Sequence, residues 1–362
     1  MNSDNTVKIL ITADLHLGRQ DEAGIITETV RVDTLRNIIS AAKEHDMLLI
    51  AGDFIDSGDI SAEAKAALAE SFKELAEAGV KVFYASGIGE QNRYGGVHSF
   101  IADLTVEHLF AIKDIEICPV EIKGRQFQIY GAAYSSDFNL PDVKRKEAEG
   151  FHIGLFHCGF DFITNRSELQ SLALDFYAIG FDHTSKIFKI YNRVLGAMPG
   201  SPIAFTEDET GDRFVLSMSV EEGKVSDIKR LKANSVQIVN LGVNCALGGN
   251  NLKSLLAEKS SDKTALKLSL HGERDFSTEE FIDSVKDNFF CLHVEDESVP
   301  SVNFLTNTFA GEDSIRGQFF RILKDKTQSG SIPSEISTLL PNALQLIMAD
   351  DTAALEKWLC SL

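Results

Sequence analysis

Two segments near the start of the chain decide its fold: residues 9–18, ILITADLHLG, and residues 48–56, LLIAGDFID. Each begins with a short apolar run that is typical of a buried strand and ends in polar side chains. Asp14 and His16 follow the first run, and Asp53 follows the second. Because ligands of open α/β sheets bind at the carboxyl ends of strands, these side chains predict the beginning of a binuclear metal site for phosphoester hydrolysis.

The elements around these segments predict an α/β fold. Strands at 7–12, 47–51 and 80–85 alternate with helices at 33–44 and 62–78, which indicates βαβ units and a parallel sheet. After residue 110, closely spaced strands flank Gly-containing turns that are typical of hairpins. Either a mixed sheet or two sheets packed face to face, with outer helices, fits this series.

A chain of 362 residues is too long for a single core. We expect a first domain over residues 1–232 and a small α/β domain with a βαβαβ pattern over 233–303. Ser277 and Glu280 in the second domain have the spacing of a capping box. A helical C-terminal segment is expected over 304–362.

Composition restricts the choice of partners and compartment. The formal net charge of −19 repels polyanions, so a nucleic-acid partner would require a basic patch, a divalent metal or a basic partner subunit. The five cysteines show no CxxC spacing, which is typical of a reducing compartment. The sequence shows neither a signal peptide nor an apolar run of about 20 residues that could span a bilayer. A cytoplasmic protein without membrane contact is therefore expected.

Further candidate ligands follow later strands. The D-x-H and G-D-x-x-D motifs of the opening segments are fairly specific as a pair, although either motif alone is weak. His157 follows one predicted strand, and the segment Gly180–His183 (GFDH) follows another. Acids and histidines from four strand ends are therefore expected to converge at one edge of a sheet.

With these motifs the chain resembles the calcineurin-like metallophosphoesterases. Within that family it is most similar to the DNA-repair exonuclease branch of the bacterial SbcD type, over roughly residues 7 to 300. The segment Pro199–Pro202 (PGSP) supports the resemblance, because the family commonly carries a PGS turn after its last motif. The resemblance implies a four-layer α/β/β/α sandwich, a small α+β capping domain and a helical C-terminus.

The resemblance also implies metal ligands. Asp14, His16 and His183 would bind the first metal, and Asp53 would bridge it to a second. His157 would be a ligand of the second metal. Manganese is the expected ion for such a set of carboxylates and imidazoles.

Three positions depart from the family pattern. The segment Ser86–Glu90 (SGIGE) stands where the family has G-N-H-D/E. Ile88 therefore replaces the Asn ligand, and Gly89 replaces the His that orients phosphate and assists the leaving group. Phe181 replaces the first His of G-H-x-H. Ile and Phe have no lone pair to offer, so the second metal loses two ligands.

We therefore expect one bound Mn²⁺ rather than two, with no bound ion as the alternative, and we name no catalytic residue. Hydrolysis should be weakened or lost, since removal of a general acid alone lowers a rate by about 10²–10⁴. Asn92 or His98 is an alternative source of a ligand. Asp56 either orients a ligand or caps a helix.

Three functions remain open. The first is metal-dependent phosphodiester hydrolysis of DNA ends, as in double-strand-break repair exonucleases. The second is an inactive scaffold or regulatory subunit of an SMC- or ABC-type ATPase complex, and the third is a phosphodiesterase of small nucleotides. The apolar stripe of Ile315, Phe319 and Ile322 is either core packing or a docking surface for such an ATPase. The resemblance also suggests a homodimer.

Overall fold

The computed structural model describes residues 5–19, 25–56, 60–91, 97–138, 140–159, 172–190 and 193–333, with scattered residues beyond 333. The chain divides into two compact units, Met1–Gln237 and Ile238–Leu362. The strands of the first unit are β1 (Val7–Thr12), β2 (Met47–Ala51), β3 (Lys81–Ala85), β4 (His108–Phe110), β5 (Glu116–Ile122), β6 (Arg125–Gly131), β7 (Phe151–His157), β8 (Phe176–Gly180), β9 (Lys186–Ile190), β10 (Arg193–Met198), β11 (Phe214–Glu221) and β12 (Lys224–Lys232). Its helices are α1 (Glu28–Ala42), α2 (Ala62–Glu77) and α3 (Ser99–Ala102).

The first sheet has the strand order β12-β11-β1-β2-β3-β4. Strands β1 to β4 are parallel, while β11 and β12 add an antiparallel edge. Helices α1 and α2 cover one face and begin at Thr27 and Ser61, whose hydroxyls accept the amide hydrogens of Val30 and Ala64. Every residue of β2 is buried, as expected for a central strand of a sheet covered on both faces.

The second sheet has the order β5-β6-β7-β8-β10-β9 and packs against the uncovered face of the first. The core between the two sheets is built from apolar side chains that alternate along the strands, including Ile9, Ile11, Leu49, Phe83, Phe127, Ile129, Ile153, Leu155 and Phe176. This arrangement confirms the predicted α/β fold with two sheets packed face to face. The outer face of the second sheet carries its own apolar cluster, and residues 160–171, which follow β7, lie outside the described part of the chain.

The second unit contains the strands β13 (Gln237–Asn244), β14 (Ser261–His271), β15 (Glu273–Arg274), β16 (Phe289–Asp296) and β17 (Val299–Pro300), and the helices α4 (Gly249–Ala257), α5 (Thr278–Val285), α6 (Val302–Phe309) and α7 (Ile315–Gln328). A three-stranded sheet, β13-β14-β16, shares a core with α4 and α5. Ser277 caps α5 by accepting the amide hydrogen of Glu280, as the capping-box spacing predicts.

Helices α6 and α7 pack against each other around Leu305, Phe320 and Leu323. The predicted helical segment beyond residue 333 falls largely outside the described residues. Among the residues that are described, no helix combines the length and the apolar character needed to span a membrane.

Candidate metal centre

The loops after β1 and β2 carry three of the predicted ligands on unusual backbone. Asp14, His16 and Asp53 have φ angles of 53°, 50° and 45°, a region that non-glycine residues rarely occupy. Each such residue costs about 1–3 kcal/mol, and this kind of strain clusters at functional sites. The two loops are joined by hydrogen bonds from Asp14 N to Gly52 O and from His16 N to Asp53 O, both 3.0 Å. The strained backbone therefore places the three side chains together.

A first triad consists of Asp14, His16 and His183, whose ligand atoms lie within 4.8 Å of one another. His16 Nδ1 is 2.7 Å from Asp56 Oδ1, which leaves Nε2 to face the centre. This Nε2 atom is buried and has no hydrogen-bond partner among the described residues. Asp56 is thus an acid that orients a ligand, since Ser61 caps the following helix.

A second triad consists of Asp14, Asp53 and His157, again within 4.8 Å. His157 Nδ1 donates to the Ala51 carbonyl oxygen at 2.9 Å, so that Nε2 faces the centre. This buried Nε2 lies 3.3 Å from Asp53 Oδ2. A Cβ atom at Gly52 would lie 2.5 Å from the imidazole, so the ring needs glycine at this position.

The two triads share Asp14, and Asp53 Oδ2 faces both imidazoles, at 4.0 Å from His16 Nε2 and 3.3 Å from His157 Nε2. All five predicted ligands therefore lie together at the edge where the strands of both sheets end. Carboxylate oxygens and imidazole nitrogens suit a divalent transition metal. The Nε2 atoms of His16 and His157 both face these carboxylates and suit such an ion, because each ring is already oriented through its other nitrogen.

Burial and mutual charge shift the pKa values of this centre. Burial raises the pKa of Asp14 to about 7, although His157 and His16 oppose this change. Burial lowers the pKa of His157, but the Asp53 and Asp14 carboxylates outweigh it and raise the pKa to about 9. Burial also disfavours the charged form of Asp53, yet contact with His157 and the Gly89 amide holds its pKa below the usual range. Without metal, the centre therefore keeps a proton on His157 at neutral pH.

His183 lies in a different environment. Its ring stacks on Phe205, with centroids 4.2 Å apart, and His16 meets the same phenyl ring edge-on at 4.9 Å. Glu209 Oε1 is 4.0 Å from His183 Nδ1, and Arg213 forms an ion pair with Glu209 at 2.7 Å. Burial, with the nearby cationic groups, lowers the pKa of His183 to about 4. The imidazole is therefore neutral at pH 7, the form that binds metal.

The PGSP turn at 199–202 connects two ligand loops. Ser201 N donates to the His183 carbonyl oxygen at 3.1 Å, and the Ser201 hydroxyl lies 2.9 Å from the Asp14 carbonyl oxygen. Gly200 has a φ of 76°, and a Cβ atom there would lie 2.8 Å from the same His183 carbonyl. The turn thus fixes the backbone of both triads, which gives the resemblance at this motif a physical basis.

Two of the three departures from the family pattern, Gly89 and Phe181, contact the acids of the second triad, and the third, Ile88, directly precedes Gly89. The amide of Phe181 lies 3.2 Å from each carboxylate oxygen of Asp14, and the amide of Gly89 donates to Asp53 Oδ1 at 2.7 Å. The side chains of Ile88 and Phe181 are 48% and 41% exposed. At positions 89 and 181 the backbone, rather than a ligand side chain, contacts the acids of the centre.

The loop after β3 is closed too tightly to hold the histidine that the family has at position 89. A Cβ atom on Gly89 would lie 2.1 Å from the Ile55 carbonyl oxygen and 2.8 Å from the Asp56 Cα. Gly87 is equally confined, since its Cβ would lie 2.3 Å from Asp53 Oδ1. A histidine at position 89 would therefore require the backbone to move.

Glu90 is the functional residue that the motif comparison missed. Its carboxylate is fully buried and accepts the Tyr84 hydroxyl at 2.6 Å. It also accepts four backbone amides at 2.6–3.0 Å, those of Asp53, Phe54, Ile55 and Gly87. The signal was present in the sequence, because Glu90 occupies the final acidic position of the G-N-H-D/E pattern. Its role is to hold the loops after β2 and β3 together.

Of the two residues considered as substitute ligands, the structure describes His98 but not Asn92. His98 precedes α3, and its ring stacks on Phe100 with centroids 5.9 Å apart. Its amide donates to the Glu90 carbonyl oxygen at 3.2 Å, and it belongs to neither triad. Asn92 lies outside the described residues. No substitute for the missing ligands is therefore identified in the described part of this loop.

The comparisons with known proteins agree with this site. The sequence profile of the calcineurin-like phosphoesterases matches residues 7–105, which include Asp14, His16 and Asp53. Residues 7–105 therefore carry the calcineurin-like phosphoesterase pattern. The matched segment contains β1 to α3 and three of the five candidate ligands.

Individual proteins similar to this chain come from bacteria, archaea and a vertebrate. An uncharacterized metallophosphoesterase of Bacillus subtilis, YhaO, is 26% identical over 212 residues, which are 53% of this chain and 50% of that protein. The DNA double-strand break repair protein Mre11 of Sulfurisphaera tokodaii is 22% identical over 342 residues, or 89% of this chain and 81% of that protein. The chain thus spans about half the length of the first relative. A solved structure, a dimetal phosphatase from Danio rerio, aligns with 64% of this chain and 99% of its own at 13% identity, with a TM-score of 0.38.

Replacing Glu90 tests its structural role. Glu90→Ala leaves four amides and the Tyr84 hydroxyl buried without an acceptor, and each unsatisfied group costs about 1–3 kcal/mol. We expect a loss of more than about 3 kcal/mol in the free energy of unfolding, measured with urea, and weaker Mn²⁺ binding by calorimetry. Glu90→Gln retains one acceptor oxygen and should lose less. Glu107→Ala, which removes an exposed ion pair with Lys81, should cost under about 1 kcal/mol; an equally small loss for Glu90→Ala would contradict this role.

The pH dependence of metal binding reports which triad holds the ion. The first triad needs Asp14 ionised, whereas His183, with its pKa of about 4, is already neutral. Mn²⁺ affinity should therefore fall by up to about tenfold per pH unit below pH 7 and level off above it. An ion bound by His157 must displace a proton up to pH 9, so affinity would continue to rise from pH 7 to 9. Calorimetric titrations at pH 6, 7, 8 and 9 distinguish the two outcomes, and His157→Gln would remove any rise above pH 7.

Proposed function

We propose that the first unit binds one divalent ion, Mn²⁺, together with a phosphoester, and hydrolyses the ester far more slowly than a two-metal site does. One observation carries the proposal. The first triad is complete, with an oriented His16 whose buried Nε2 has no partner in the described part of the chain, while positions 88, 89 and 181 offer no side-chain lone pair.

The residues of the centre would be sufficient to bind the ion but would lack a group that assists hydrolysis. Asp14, His16 and His183 would hold the ion, and Asp53 would face it from the neighbouring loop. When bound, a divalent metal supplies Lewis-acid polarisation of a phosphoryl oxygen. Gly89 has no side chain to orient the phosphate or protonate a leaving oxygen, and loss of such an acid lowers a rate by about 10²–10⁴. Binding should therefore persist while turnover becomes slow.

DNA ends are the proposed physiological substrate. The similarity to the archaeal Mre11 over 89% of this chain supports this class over other phosphoesters. The net charge of −19 opposes binding of a polyanion by the chain alone, so we propose that a basic partner subunit contributes to DNA binding. The five free thiols are consistent with a reducing cytoplasm as the compartment.

A second proposed role is docking to an SMC- or ABC-type ATPase, and the surface of α7 favours it. Ile315, Phe319 and Ile322 are 88%, 45% and 51% exposed, and their spacing places them on one face of the helix. Phe320 and Leu323 instead face the core shared with α6. Core packing therefore does not account for the exposed stripe, whereas an apolar stripe of this spacing suits docking to a coiled-coil helix.

Metal content and turnover test the first proposal together. After purification in Mn²⁺, elemental analysis should give about one ion per chain, since one triad is complete. Hydrolysis of bis-p-nitrophenyl phosphate should be slow and should disappear in Asp53→Asn. The double variant Ile88→Asn/Phe181→His adds two ligands beside His157 and should raise the content toward two ions.

The control for that variant is Ile112→Asn/Phe290→His, which changes residues of the same types at 52% and 42% exposure. It should leave both the metal content and the turnover unchanged. Two ions in the unmodified protein would contradict the single-ion proposal. Absence of both bound metal and turnover would leave only the inactive scaffold.

A charged side chain introduced into the apolar stripe of α7 tests the docking role. Phe319→Asp should abolish co-purification with a co-expressed coiled-coil ATPase, because it buries an unpaired carboxylate in the interface. Phe290→Asp, at an equally exposed phenylalanine in β16, should leave the complex intact. Retention of the complex by Phe319→Asp would contradict the role. Conversion of a homodimer to a monomer by the same variant, measured by light scattering, would assign the stripe to self-association instead.

A further inference from the structure

Two aromatic rings, those of Phe181 and Tyr134, lie beside His157 of the second triad, and Phe181 occupies a position where the resemblance implies a metal ligand. The rings of Phe181 and Tyr134 are nearly parallel, with an interplanar angle of 10° and centroids 6.4 Å apart. Each ring also meets the His157 imidazole at a steep angle, with centroids 5.5 Å and 5.8 Å from it. The pair therefore adjoins the candidate metal centre directly.

The backbone fixes both rings in place. Phe181 has a φ of 105°, in a region that favours glycine, and its amide is held by the Asp14 carboxylate. The Tyr134 amide donates to the Ser86 carbonyl oxygen at 2.8 Å, which attaches it to the loop after β3. Phe181 nevertheless leaves 41% of its surface exposed. A strained backbone that presents an aromatic ring to solvent is not explained by core packing.

The surroundings indicate what such rings would bind. The centre itself is built from acids and imidazoles, and the whole chain carries a net charge of −19. Contacts to a nucleic-acid backbone beyond the one bound phosphate are therefore electrostatically unfavourable. Stacking of a base on an aromatic ring needs no charge and tolerates any base sequence. Base stacking is therefore an interaction that this acidic site can make with a nucleic acid.

We infer that Phe181 and Tyr134 form a stacking platform for the nucleobase of a nucleotide whose phosphate is bound at the metal centre. The inference rests on the proposed phosphoester site and names its substrate class. A nucleotide joins its base to its phosphate through one sugar ring, so a platform beside His157, in the triad that shares Asp14 with the proposed ion site, is correctly placed for the base. The loss of a metal ligand at position 181 thus coincides with the gain of a base-binding surface.

The experiment uses calorimetry to measure equilibrium binding to the Mn²⁺-loaded protein, and it requires no turnover. The probes are dAMP, deoxyribose 5-phosphate, which lacks the base, and phenyl phosphate, which has a ring but no base. dAMP should bind more tightly than either. Phe181→Leu keeps the amide that holds Asp14 but removes the ring, and it should weaken dAMP about tenfold while leaving deoxyribose 5-phosphate unchanged.

Two further variants complete the test. Phe181→Trp should retain or improve the affinity for dAMP, and Phe290→Leu, at an equally exposed phenylalanine, should change nothing. Equal affinity for dAMP and deoxyribose 5-phosphate, or equal weakening of both by Phe181→Leu, would overturn the platform and leave the phosphoester site standing. Phenyl phosphate binding as tightly as dAMP would assign the rings to aryl esters. No binding of deoxyribose 5-phosphate would instead refute the proposed phosphoester site, and with it the platform.

Discussion

The buried carboxylate of Glu90 is the interaction on which the centre depends. A buried carboxylate is tolerated only when its oxygens are hydrogen-bonded, and Glu90 accepts four amides and one hydroxyl. Three of those amides belong to Asp53 and the two residues after it, so the loop that presents Asp53 is shaped by an acid from another loop. This explains how the loop after β3 keeps its place although the Asn and His expected in it are absent. In this short motif, the residue that holds the loop geometry, Glu90, is therefore distinct from the positions that would supply metal ligands.

The same loops show how the charge of the remaining acids is balanced. In a two-metal centre, the second ion would neutralise part of the charge of Asp14 and Asp53. Here the amide of Phe181 contacts both oxygens of Asp14, and the amide of Gly89 donates to Asp53. Hydrogen bonds from two backbone amides to carboxylates provide partial positive charge without a ligand side chain. The backbone at positions 89 and 181 therefore contacts the same two acids that a second ion would otherwise neutralise.

Local rules were sufficient for the fold and for the convergence of acids and histidines, whereas the grouping of Asp14, His16 and His183 came from the family resemblance. Apolar runs of strand length located β1 and β2, and the polar residues after them needed only the rule that parallel strands end at one edge. The three-residue strand β4 is too short to produce such a pattern. Phe205 and Tyr134 escaped prediction for a different reason: each reaches the centre through tertiary packing against a histidine distant in sequence. Only Glu90 carried a sequence signal, and its motif position did not reveal that its partners are backbone amides.

The pKa values of the metal-free centre are consistent with the proposed single ion. His157 lies 3.3 Å from Asp53, and its pKa of about 9 means that at neutral pH it stands beside this acid as a cation. The proton thus supplies part of the charge that a second ion would bring, at nearly the same place. The first triad differs, since the pKa of His183 is about 4 and its neutral ring has a free lone pair for metal. A proton on one side and a metal ion on the other would then satisfy the same pair of carboxylates, and the exposed ring of Phe181 could replace a ligand without leaving Asp14 or Asp53 uncompensated.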